Sequence, residues 1–157
     1  MTVYPAFLKL EGLAALVVGA GEVAAQKIGG LIAAGARVTV VAPAVSPLVR
    51  VQDVTLVERG FEPGDLDGVR WVVAAATPEV NARVAAEAEA RGIFVNAVDD
   101  TAASTAYLGG VVRRGDVTLA ISTGGYAPAL AGLLREALEA VLPVDLDRWM
   151  AVARATR

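Results

Sequence analysis

"LAALVVGAGEVAAQKIGGLIAAGARVTVVAP", residues 13–43, decides the fold. Its first six residues, rich in Leu and Val, have the length and composition of a buried strand. Gly19-Ala20-Gly21-Glu22-Val23-Ala24 follows at once, and "EVAAQKIGGLIAAG" then carries helix-forming residues up to Gly35, which suits a helix end. "ARVTVVAP" is a second β-branched run, stopped by Pro43. Strand, glycine turn, helix and strand make one βαβ unit, and a crossover of that length implies parallel strands.

The glycine motif has a definite physical use in that setting. Gly19 permits the tight turn, Gly21 lets the backbone approach a pyrophosphate, and small Ala24 allows close helix–strand packing, while the helix start through Glu22 and Val23 faces the phosphates. A glycine turn without a ligand is the alternative, and the correct βαβ context weighs against it. One part of the usual dinucleotide pattern is missing. The second strand runs into Pro43 with no Asp or Glu placed to accept from an adenosine ribose. Ser46 or a backbone group could meet that ribose and Arg50 a 2′-phosphate, so the residues alone leave NAD against NADP open.

Outward from this unit the alternation continues. "VTLVER" predicts a third strand, "VRWVVAAAT" a fourth, "PEVNARVAAEAEARG" a helix with proline in its first turn, and "IFVNAV" a fifth strand. The expectation is an α/β fold, with a Rossmann-like parallel sheet over residues 1–100. A small α+β subdomain with C-terminal helices is expected over residues 101–157. There "AYLGGVV" and "DVTLAIS" flank "RRG" as a hairpin. "YAPALAGLLREALEAVLP" predicts an amphipathic helix with Leu130, Leu133, Leu134, Ala137, Leu138, Val141 and Leu142 on one stripe. A last helix offers Leu146, Trp149 and Met150 for packing on a partner.

Composition narrows the chemistry. The chain has 157 residues, no histidine, no cysteine and a net charge of −3, so the usual zinc ligands, thiolates and imidazole bases are lacking and no metal site is expected. A carboxylate is left as the carrier of any acid/base step. Slight acidity argues against nucleic-acid binding, and the broken apolar runs argue against a membrane span. No secretory signal is read at the N-terminus, and the lack of cysteine agrees with a reducing cytoplasm. "FVNAVDDTAAST", residues 94–105, sets Asp99 and Asp100 at the end of a strand, where open α/β sheets place ligand crevices. A turn or helix cap is the alternative use of such a pair.

Three stretches together carry a resemblance: residues 4–43, "AAATPEVNARVAAEAEARGIFVNAVDD", and "AISTGGYAPALAGLLREALEAVLP". They resemble the precorrin-2 dehydrogenase / sirohydrochlorin ferrochelatase family, in order and over nearly the whole chain. The resemblance implies NAD-dependent oxidation of precorrin-2, a polycarboxylated tetrapyrrole, to sirohydrochlorin, with metal insertion in some members. Asp99 matches the family's key acid/base residue, and Asp100 is then a solvated neighbour. Ser122 matches a serine associated with tetrapyrrole binding. Gly124 and Gly125 would bring backbone amides to the ligand, and Arg135, with Arg113 and Arg114 as further candidates, would meet its carboxylates. Arg113 and Arg114 as plain turn residues are the alternative. Thr77 and Asn96 would position the nicotinamide or else cap their turns, and Pro43 completes the expected NAD contacts.

Departures qualify the match. Gly132 stands where the family often has an arginine, "STAYLGGVV" replaces an aromatic-and-proline segment, and the tail after Trp149 is short, so dehydrogenase activity is favoured over chelatase activity. A homodimer is expected from the apolar second subdomain. A non-enzymatic redox-sensing module would keep the glycine loop without needing Asp99; a chelatase that had lost oxidation would keep Asp99 without the nucleotide.

Overall fold

The computed structural model describes residues 3–156. Its strands and helices alternate as the pattern requires: β1 Ala14–Val18, α1 Glu22–Ala33, β2 Arg37–Val41, α2 Pro47–Arg50, β3 Thr55–Val57, β4 Trp71–Ala74, α3 Pro78–Ala90 and β5 Phe94–Ala97. The five strands are parallel in the order β3-β2-β1-β4-β5. Their carboxyl ends therefore lie along one edge of the sheet.

The two-residue period of the strands divides the core. Ala15, Val17, Val38, Val40 and Val73 point to one face and pack against Ala24, Ile28 and Leu31 of α1 and Val49 of α2. Leu16, Val18, Val41, Val72, Ala74, Val95 and Ala97 point to the other and pack against Val84, Ala85 and Ala88 of α3. Burial on both faces accounts for the nearly unbroken apolar runs of β1 and β4.

Two short elements lack the periodicity that would have revealed them. One is α2; the other is a 3₁₀ turn, Pro63–Leu66, that carries buried Leu66 to the second face. The turn is fixed by Asp65, which accepts from both terminal nitrogens of Arg59 (2.8 and 2.6 Å) and from the Glu62 amide (2.9 Å). The hydrogen bonds from Arg59 hold the Asp65 carboxyl below its ordinary range.

The chain divides into two compact units between Ala106 and Tyr107, rather than after residue 100. Residues 104–106 stay with the first unit because they pair along β5. The amides of Thr105 and Ala106 donate to the Val95 carbonyl (both 3.0 Å), while Val95 and Ala97 donate to Thr105 Oγ1 and Ser104 Oγ (both 2.9 Å).

The second unit contains an antiparallel hairpin, β6 Gly110–Arg114 and β7 Val117–Ile121, followed by α4 Pro128–Val141 and α5 Leu146–Ala155. One expectation is corrected here. Arg113 and Arg114 are not turn residues: they pair with Thr118 and Val117, and Gly115, at φ +54°, makes the turn with Asp116. The apolar stripe of α4 is largely uncovered, since Leu130, Leu133, Leu134 and Val141 are exposed and Ala131 is the buried residue. A small residue faces the hairpin because the backbones approach closely: a Cβ on Gly110 would lie 2.9 Å from the Ala131 carbonyl oxygen. Trp149 of α5 is exposed as well. Among the described residues, no helix is long and apolar enough to cross a membrane.

Candidate functional site

At the carboxyl end of β1, Gly19 adopts φ +105°, and a Cβ there would sit 2.1 Å from the Ala75 carbonyl oxygen. Only glycine fits. Its amide donates to the Val41 carbonyl (2.9 Å), and Ala75 donates to that of Val18 (2.8 Å), so the loops after β1 and β4 are locked together. Gly21 differs in kind. It has an ordinary φ of −83° as the N-cap of α1, and nothing lies within 4 Å of a Cβ built on it. The space, not the backbone angle, is what its missing side chain provides.

No side chain caps α1, so the amides of its first turn, at Glu22, Val23 and Ala24, lack intrahelical partners and point outward. Ala24 is fully buried against the sheet, as its small size requires. Glu22 puts a carboxylate in the same turn, so an anion there would be held by oriented amides rather than by net positive charge. Beside this turn, the Ser46 amide donates to the Ala20 carbonyl (3.1 Å), while the buried Ser46 Oγ has no hydrogen-bond partner. An orphaned hydroxyl next to an uncapped glycine turn, with open space at Gly21, fits a polar dinucleotide. Pro43 is exposed at the end of β2, one residue past Ala42, whose amide donates to the Val57 carbonyl (3.2 Å).

The two adjacent acids after β5 have separate roles. Asp100 Oδ1 accepts from the amides of Ala102 and Ala103 (both 3.0 Å), and Ser104 Oγ donates to the carbonyls of Asp100 (2.8 Å) and Ala97 (3.0 Å). Asp100 is thus the turn former. Asp99 is the one non-glycine residue with positive φ (59°) among those described; its side chain is exposed and makes no hydrogen bond or ion pair there. Asp tolerates this left-handed conformation better than most residues. The turn holds a free carboxylate at the same sheet edge as the glycine loop.

Thr77 and Asn96 are engaged in the scaffold. Thr77 caps α3, accepting from the Val80 amide at a long 3.5 Å, and buried Asn96 donates to the Ala106 carbonyl (3.0 Å). Sequence reasoning passed over Asn81, whose Oδ1 accepts from the Ala76 amide (2.9 Å) and so braces the loop that meets Gly19. A polar residue on the buried side of a helix, four positions after its Thr cap, was the available signal.

In the second unit, Ser122 is exposed and its Oγ accepts from the Gly124 amide (3.1 Å). Gly124 and Gly125 both have positive φ (65° and 82°), which shapes the loop before α4. Arg135 is paired with Glu139 (2.8 Å) and Glu136 (3.3 Å) on its own helix, and such exposed pairs exchange partners at little cost. Arg114 donates to the carbonyls of Leu142 and Glu139 at the end of α4, a capping role that periodicity could not show. Arg113 is exposed on β6.

A parallel sheet with an open glycine turn at the start of a helix defines a Rossmann-like nucleotide-binding protein. Residues 6–110 match the family described as putative NAD(P)-binding, and the chain belongs to that family. Residues 114–140 match the sirohaem biosynthesis protein central family. Siroheme synthase 1 of Aeromonas salmonicida (strain A449) is 44% identical over 163 residues, which take in 100% of this chain and 35% of that protein. The siroheme synthase of Chromobacterium violaceum is 43% identical over 157 residues, 94% of this chain and 33% of that one. The chain spans about a third of the length of these curated relatives. The solved structure of SirC, precorrin-2 dehydrogenase, superposes with a TM-score of 0.75 at 27% identity, covering 95% of this chain and 76% of that one. These matches bear out the α/β fold and the family resemblance read from the sequence.

Proposed function

We propose that this chain is an NAD⁺-dependent precorrin-2 dehydrogenase of sirohaem synthesis. The observation that carries the reading is the free Asp99 carboxylate on the sheet edge that also presents the Gly19–Gly21 turn. The amides of Glu22, Val23 and Ala24 would hold the pyrophosphate, with Ser46 and the backbone near Pro43 toward the adenosine. Thr77 and Asn96 would support the nicotinamide end through the loops they brace. When bound, NAD⁺ supplies a hydride acceptor. Oxidation of precorrin-2 to sirohydrochlorin removes two electrons and two protons: one proton leaves with both electrons as hydride, and the Asp99 carboxylate takes the other. Ser122, the amides of Gly124 and Gly125, and Arg135, once released from its glutamates, would bind the tetrapyrrole carboxylates.

The test is anaerobic mixing of purified protein with freshly generated precorrin-2 and NAD⁺. NADH should form one-for-one with sirohydrochlorin. Binding of NAD⁺ without any NADH would refute the dehydrogenase and favour a sensing module. The uncovered Leu133, Val141 and Trp149 support a homodimer, for which light scattering should give twice the chain mass; a stable monomer at micromolar concentration would remove that part. A cytoplasmic setting, with its NAD⁺ pool, belongs to the same reading.

A further inference from the structure

The dinucleotide pattern lacks its acid at the end of β2, and at the end of the next strand stands an acid with a different use. Glu58 directly follows β3, which pairs with β2 in the register Val41↔Val57, and the Ala42 amide continues that pairing to the Val57 carbonyl. On this motif the adenosine ribose lies over the carboxyl end of the second strand. Glu58 therefore stands one strand beyond that end, and its carboxylate is bound by Arg50 Nη2 at 2.8 Å. Arg50 closes the last turn of α2, a helix tied to the glycine loop through the Ser46–Ala20 hydrogen bond. Arg59, the following residue, is held on both nitrogens by Asp65 and cannot serve a second anion without breaking that fork. Arg50 is thus the cation near this corner with the weaker attachment: a single exposed ion pair.

We infer that the Arg50–Glu58 pair sets the choice between NAD⁺ and NADP⁺, with Glu58 disfavouring a 2′-phosphate and keeping Arg50 from binding one. The inference rests on the dinucleotide reading above and concerns its ribose end alone. A carboxylate beside a 2′-phosphate repels it, and it also occupies the guanidinium that would otherwise neutralise the phosphate. Loss of that carboxylate removes the repulsion and frees the arginine together. A ribose 2′-hydroxyl carries no charge and feels neither effect strongly.

The experiment is calorimetric titration of the purified full chain with NAD⁺ and with NADP⁺, without tetrapyrrole. Wild type should bind NAD⁺ more tightly than NADP⁺. Glu58→Gln, an exposed and isosteric change, should tighten NADP⁺ by about tenfold, the scale of one charge-assisted contact, and leave NAD⁺ nearly unchanged. Adding Arg50→Ala to that variant should abolish most of the gain. An unchanged NADP⁺ to NAD⁺ ratio in Glu58→Gln overturns the inference, as does wild-type preference for NADP⁺. A gain that survives the double substitution removes Arg50 from it. If wild type binds neither nucleotide, the dinucleotide reading fails and this inference falls with it, an outcome distinct from normal NAD⁺ binding with an unmoved ratio.

Discussion

Asp99→Asn is expected to lower NADH formation from precorrin-2 by about 10²- to 10⁴-fold, the usual contribution of a positioned general base, while NAD⁺ affinity stays at its wild-type value. Asparagine suits the comparison because it keeps the shape and also tolerates the left-handed backbone found at this position (φ 59°). The carboxylate makes no hydrogen bond to the rest of the described protein, so its neutralisation leaves no partner stranded and thermal unfolding should not move. Asp100→Asn is the internal control. Its Oδ1 accepts two amides, an arrangement an amide oxygen can reproduce, so activity should persist. Equal losses in the two variants would show that the turn as a whole matters and that Asp99 holds no special proton.

The second large effect separates two glycines that look alike in the sequence. Gly19→Ala puts a Cβ 2.1 Å from the Ala75 carbonyl oxygen at a backbone angle of +105°, so the β1 and β4 loops must move apart. Overpacking costs about 1–3 kcal/mol and backbone strain about as much again, a large share of the roughly 5–15 kcal/mol that holds a typical domain together. The expected result is a several-kelvin fall in Tm, or insoluble protein, with NAD⁺ binding lost. Gly21→Ala meets nothing within 4 Å and needs no unusual angle, so it should fold at the wild-type Tm. It should nonetheless weaken NAD⁺ binding, because the new methyl occupies the space a pyrophosphate would enter. Calorimetric titration alongside thermal unfolding distinguishes the two. Normal NAD⁺ affinity in Gly21→Ala would mean that the cofactor does not approach there.

The glycine loop and the sheet were legible because their causes are local. Leu16 and Val18 alternate with Ala15 and Val17 between the two faces, and the run around Gly19 can only be a turn. The division of labour between Asp99 and Asp100 was not legible, since two identical side chains part ways only once one accepts from Ala102 and Ala103 and the other takes a positive φ. Arg113 and Arg114 look like turn residues next to a glycine, yet strand pairing extends to Arg114 and Val117 and leaves the turn to Gly115 and Asp116. Helical periodicity correctly marked the apolar stripe of α4 but could not say that Ala131, rather than Leu133, faces the hairpin; backbone proximity at Gly110 decides that. Asn81 and α2 were missed because neither a lone buried amide nor a four-residue helix produces a period.

An outermost strand is ordinarily an invitation to association, because its unpaired amides and carbonyls can template a foreign strand. Here Ser104 and Thr105 take up the amides of Ala97 and Val95 with side-chain oxygens, and the chain folds back over the remaining positions. The same few residues that follow the Asp99–Asp100 turn therefore protect this edge of the newly made sheet from edge-to-edge aggregation.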